Sequence, residues 1–121
     1  MEGFSAGTIH RVREGSAWIV VMRGDHDLST AEDLVGELQE ALDADTAVVV
    51  DLTDVNFMDS AILNALLAAR ERAMERQEGS FALVAPPGSF PSRVLALVVG
   101  TLIPTYPNLK SAIAAVGAAA G

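Results

Sequence analysis

The sequence predicts an α/β domain built on a mixed, mostly parallel sheet of about five strands. Three observations predict it. Short apolar runs rich in β-branched residues, "TAVVVDL" at 46–52 above all, read as buried strands. These runs alternate with segments of helical periodicity, so the elements follow the order ββαβαβαβα, and strands separated by helices imply crossovers and parallel pairing. Half of the residues are apolar while only 5% are aromatic, so Val, Ala and Leu supply the core volume that a layered fold needs.

Each element has its own signal. "TIHRVRE" (8–14) and "SAWIVVMRG" (16–24) read as two strands joined by a turn at Glu14-Gly15. A helix is predicted over 27–42. Ser29 with Glu32, or Thr30 with Asp33, has capping-box spacing, and Leu34, Val35, Leu38, Ala41 and Leu42 form one apolar face. Gly36 inside that helix costs on the order of 1 kcal/mol relative to Ala. After the strand at 46–52, "TDVNFMD" reads as a loop leading to a helix from Ser60 to about Glu78. Ile62, Leu66, Ala69 and Ala73 lie on one side of that helix, Arg72 and Arg76 favour its C-terminal dipole, and Gly79 stops it. "SFALVA" is the next strand, "PPGSFP" a loop and "SRVLALVVG" a short helix. "LIPTY" is an edge strand, and "NLKSAIAAV" is a last helix with Asn108 as its cap. At 121 residues without linker or internal repeat, the chain reads as one domain, its core at about 8–117 and residues 118–121 frayed.

The formal net charge of −8 disfavours nucleic acid and anionic membranes and points to protein partners. The absence of cysteine excludes disulfides, thiolate metal sites and Cys nucleophiles. The N-terminus shows no basic segment followed by an apolar one, and no apolar run reaches the roughly 18 residues of a membrane span. A soluble, cytoplasmic protein is expected.

Two acidic segments, "GDHD" (24–27) and "NFMDS" (56–60), emerge from the carboxyl ends of successive strands, the rim where open α/β sheets bind ligands and partners. Asp59 with Ser60 fits a helix N-cap, and it also fits an exposed hydroxyl that accepts a phosphate, since a helix start favours negative charge. The two readings are compatible. Asp25, His26 and Asp27 do not suit a metal, because neighbours on a strand point to opposite faces. Asp27 is expected as an exposed carboxylate in the loop before the Ser29/Thr30 cap. A Ser60–His26–Asp27 triad lacks the G-x-S-x-G elbow, and Asp27 is badly placed to orient the adjacent His26. Neither phosphate-cradling glycine loop occurs, so no cofactor is expected.

"GDHDLSTAEDL", "VVVDLTDVNFMDSAIL" and "RVLALVVGTLIPTYPNLKSAIAAV" together resemble the landmarks of the STAS domain, in particular its bacterial anti-sigma factor antagonist branch, over about residues 8–117. The most specific part is the strand ending in Asp-Leu followed by a loop, Phe-Met-Asp-Ser and an apolar helix. The resemblance implies a STAS-like fold with helices largely on one side of the sheet. It also implies a non-enzymatic antagonist that binds an anti-sigma factor serine kinase and so frees a sigma factor. Phosphorylation by that kinase breaks the complex and a PP2C-type phosphatase restores it. Ser60 matches the phosphoacceptor and Asp59 the motif acid. Asp27 matches the acid of the family's Gly-Glu-x-Asp pattern, with Asp25 in place of the Glu. The partner surface then comprises Asp25, Asp27, Thr30, Asp59, Ser60, Ala61, Ile62 and Asn64. The family pattern continues Asp-Ser with Ser or Thr and then Gly, where this chain has Ala61 and Ile62, and a bulky Ile62 is expected to crowd the approach to Ser60. Two other functions fit the same rim: a constitutive scaffold module of a signalling complex, never phosphorylated, and a sensor of a nucleotide or other small molecule.

Overall fold

The computed structural model describes residues 7–44, 47–75, 81–98 and 102–120, with side chains to Val116 in the last segment. The elements run β1 (Thr8–Glu14), β2 (Ala17–His26), α1 (Leu28–Asp43), β3 (Ala47–Met58), α2 (Ser60–Glu75), β4 (Phe81–Val84), α3 (Phe90–Val98), β5 (Thr105–Tyr106) and α4 (Leu109–Ala120). This is the expected ββαβαβαβα order. The strands lie in the sheet in chain order, β1-β2-β3-β4-β5. Only β1 and β2 are antiparallel; the remaining neighbours pair in parallel.

The two faces of the sheet differ in what covers them. Val20, Met22, Val48, Val50, Leu52, Phe81 and Leu83 face α1, α2 and α3, meeting Leu34, Leu38, Ile62, Leu66 and Leu95 in the larger core. The alternate positions, Ala17, Ile19, Ala47, Val49, Ala82 and Val84, face Ala112 and Val116 of α4. Three helices on one face and one on the other give the one-sided arrangement expected. The period-two alternation of β2, β3 and β4 sorts their side chains between the two cores.

Four local expectations are corrected. The hairpin turn is one residue later, because Glu14 already pairs with Ala17 and the turn is Gly15-Ser16, with Gly15 at φ 60°. The segment 53–58 is not a loop: β3 continues to Met58 because β2 also runs on to His26 and supplies a ladder partner. Two register shifts, between Val21 and Arg23 and between Gly24 and Asp25, let the strands stay paired. The helix expected to begin at Ser92 begins at Phe90. There the Ser89 hydroxyl oxygen accepts the Ser92 N–H at 3.2 Å, and Pro91 sits in a first turn that needs no N–H from it. The cap of α1 is neither Ser29 nor Thr30 but Asp27. Asn108 caps α4 as expected, its Oδ1 accepting the Ser111 N–H at 2.8 Å. The stop expected at Arg76 and Gly79, the C-terminal Gly100 of the α3 segment and the end of the frayed tail lie outside the described residues.

Candidate functional site at the strand rim

His26 and Met58 are register partners on parallel strands, so the next residues, Asp27 and Asp59, leave the sheet side by side. Each turns into a helix, and each caps it. Asp27 Oδ1 accepts the Ser29 N–H at 2.9 Å and the Ser29 hydroxyl at 2.6 Å. Asp59 Oδ1 accepts the N–H groups of Ala61 at 3.0 Å and Ile62 at 3.3 Å. Both carboxylates thereby satisfy donors that the first helical turn leaves open. The Ser29 hydroxyl, then the Ser29 N–H, hold the Asp27 carboxyl below its ordinary range.

Behind Asp27 lies a fully buried histidine. His26 Nε2 is 2.9 Å from the Arg23 carbonyl oxygen, which can only accept, so the proton is on Nε2. Nδ1 is 3.0 Å from Thr30 Oγ1, which also lies 3.2 Å from the Asp27 carbonyl oxygen. This arrangement joins the end of β2 to the first turn of α1. It also engages both ring nitrogens, so neither is left for a metal or for Ser60. Gly7 covers the ring: a Cβ there would come within 2.5 Å of both the Asp25 carbonyl oxygen and His26 Cε1.

Ser60 is exposed as the first residue of α2, and among the described residues its hydroxyl has no hydrogen-bond partner. Asn64 is exposed one turn on, while Asp25, Asp27, Thr30, Asp59 and Ala61 are half-buried. Ile62 is a correction. It is 0% exposed and packs in the larger core, so it is not a contact residue and does not crowd Ser60. Helical geometry sends its side chain inward while Ser60 points out. Phe57 is the opposite case: it remains 44% exposed and meets Phe90 with ring centroids 5.7 Å apart, while Met58 fills the core. Leu28, beside the Asp27 cap, is 74% exposed. The rim therefore combines carboxylates, one free hydroxyl and two apolar side chains.

Sequence reasoning missed the His26–Thr30 bond, Gly7, Leu28 and the Phe57–Phe90 pair. "HDLST" does place His26 and Thr30 four residues apart, but only the strand end decides that they meet. Gly7 and Phe90 carry no local signal. Among the described residues, no group of three His, Cys, Asp or Glu side chains is arranged to hold a metal ion. Among the described residues, no helix is long and apolar enough to cross a membrane.

A five-stranded mixed sheet with two Asp-capped helices rising from adjacent parallel strands is the architecture of a STAS-type α/β module. The family model for "Mlab, STAS domain" matches residues 9–103, and the chain belongs to that STAS-domain family. Among solved structures, an anti-sigma factor antagonist from Mycobacterium paratuberculosis is similar at 25% identity and a TM-score of 0.81, over 93% of this chain and 95% of that one. The anti-sigma factor antagonist SpoIIAA in its unphosphorylated form is similar at 16% identity, TM-score 0.71, over 92% and 97%. The Bacillus cell fate determinant SpoIIAA in its phosphorylated form is similar at 17% identity, TM-score 0.64, over 92% and 99%. The two SpoIIAA structures bear on the fold alone.

Proposed function

We propose that this chain is an anti-sigma factor antagonist, a single cytoplasmic domain and not an enzyme, that binds an anti-sigma factor serine kinase through the rim and is released when Ser60 is phosphorylated. The observation that carries the reading is the Ser60 hydroxyl, exposed and unbonded among the described residues at a helix start whose cap is a separate residue, Asp59. Similarity to the mycobacterial antagonist supports the class of partner. Partner contacts come from Asp25, Asp27, Asp59, Ser60 and Asn64, with Ala61 and Thr30 at their margin and Leu28 and Phe57 as apolar additions.

Phosphorylation adds about −1.5 to −2 charges without breaking the cap. Against a partner carboxylate about 6 Å away, each unit charge is worth about 0.7 kcal/mol in bulk water and about 3 kcal/mol at an effective dielectric of 20. That is enough to shift affinity by one to several decades. The kinase supplies ATP and catalytic groups, and a PP2C-type phosphatase resets Ser60.

A second reading, an unphosphorylated scaffold module, draws on Ala61-Ile62 in place of the usual Ser/Thr-Gly. Intact mass before and after incubation with a serine-kinase anti-sigma factor and ATP separates the two. The antagonist gains one phosphate and Ser60→Ala gains none; a wild-type chain that binds the kinase yet stays unmodified is the scaffold.

A further inference from the structure

Strand β1 is an edge of the sheet, paired only with β2 and in unbroken register from Thr8 to Glu14. Such an edge templates a further strand unless proline, a bulge or like charge blocks it, and β1 has neither proline nor bulge. Because a two-residue turn follows Glu14, the Glu14–Ala17 pair is hydrogen-bonded. Thr8, His10, Val12 and Glu14 therefore turn their N–H and C=O groups toward β2. Ile9, Arg11 and Arg13 turn theirs outward, with their side chains on the α1 face. Ile9 packs on the larger core, and Arg11 binds Glu37 at 2.7 Å and Glu40 at 2.8 Å. Arg13 rests on Trp18, its guanidinium carbon 5.0 Å from the ring centroid. Beside Ile9 runs a groove lined by Asp33, Gly36, Glu37 and Glu40 of α1. Arg11 takes two of its acids. Asp33 and Arg13 are both exposed, and among the described residues neither has an ion pair.

We infer that β1 is a self-association edge, to which β1 of a second copy adds antiparallel across a two-fold axis through Arg11. That centre sets Arg11 opposite its own copy and Ile9 opposite Arg13 of the second copy. All three outward residues then find outward partners, giving about six backbone hydrogen bonds, and a centre at Ile9 or Arg13 gives fewer within the strand. Opposed residues project to the same face, so Arg13 of each copy stands beside the other's Ile9, at the groove where Asp33 is open. The charges select the occupant. The strand brings arginines 11 and 13 to a flank that holds acids 33, 37 and 40, and one surface supplies both halves, as an isologous contact requires. Antiparallel addition also sends the two rims to opposite ends of the joined sheet. Ser60, which follows β3, lies away from the seam.

A single-strand seam falls at the small end of specific interfaces, so a dissociation constant on the order of 10–100 µM is expected. Sedimentation velocity of the full chain from about 5 to about 500 µM should show monomer passing to dimer. Arg13→Glu and Asp33→Arg, both at exposed positions, should each weaken association roughly tenfold or more with unchanged circular dichroism, because like charges then meet at both ends of the seam. An equimolar mixture of the two variants should dimerise again, since each end then joins opposite charges. Amide hydrogen exchange at Ile9, Arg11 and Arg13 should slow as concentration rises, while His10 and Val12, already bonded to β2, should not change. A chain that stays monomeric throughout the range overturns the inference. So does a dimer that both variants leave intact, a mixture no tighter than the variants alone, or protection that rises elsewhere instead.

Discussion

The two helices that start at the rim, α1 and α2, use the same device and put it to different ends. Both are capped by an aspartate that leaves a parallel strand, and both carry a serine in the first turn. At α1 the Ser29 hydroxyl is spent on its own cap, 2.6 Å from Asp27 Oδ1, and the helix is also tied to the buried His26 through Thr30. At α2 the Asp59 carboxylate takes only backbone N–H groups, and Ser60 is left facing solvent. One helix start is locked and the other is available. A motif of acid plus serine therefore does not mark a modification site by itself; what counts is whether the cap already holds the hydroxyl.

The largest effect should come from breaking the comparison at Ser60. Ser60→Asp adds a single charge and is expected to weaken kinase binding by about half a decade to two decades, read by calorimetric titration, while changing stability by no more than about 0.5 kcal/mol. Equal binding by both forms would sink the electrostatic switch. Ser29→Ala should leave phosphate uptake at one per chain.

Thr30→Val comes next, because it leaves His26 Nδ1 buried without its hydrogen-bond partner. Chemical denaturation should report a loss of about 1–3 kcal/mol, largely spared in Thr30→Ser. Asp59→Ala removes the α2 cap and should cost about 1 kcal/mol. Asp27→Ala should lower the melting temperature at neutral pH, with a pH dependence of stated sign. The folded carboxyl titrates below its ordinary 3.8, so its contribution is complete above that value and is lost as pH falls through the lowered one. The gap between wild type and Asp27→Ala should therefore close only in that acidic window. The smallest effect is Gly36→Ala in α1. An added Cβ meets nothing within 4 Å, and a gain of up to about 1 kcal/mol is expected from thermal melts.

Much of the fold was legible from residue order alone. The alternating runs located all five strands and four helices, and the apolar faces of α1 and α2 were read correctly at Leu34, Leu38, Ile62 and Leu66. The proximity of 24–27 to 56–60 also followed, since parallel strands joined by a helix must release their next residues at the same rim. The boundaries that failed depend on a partner. "TDVNFM" has the composition of a loop and became a strand because β2 offered it a ladder. Phe57 has the composition of a core anchor and stayed half out, because the strand period gave the inward place to Met58.

The sequence by itself determined the layers, the acidic balance and the presence of an aspartate–serine pair at a helix start, since these depend on local periodicity, capping chemistry and charge. Tertiary structure alone decided that the Ser60 hydroxyl is free, that Asp27 holds Ser29, and that His26 reaches Thr30. Those outcomes turn on which side of a helix or strand faces the core, and that is settled only when the elements pack.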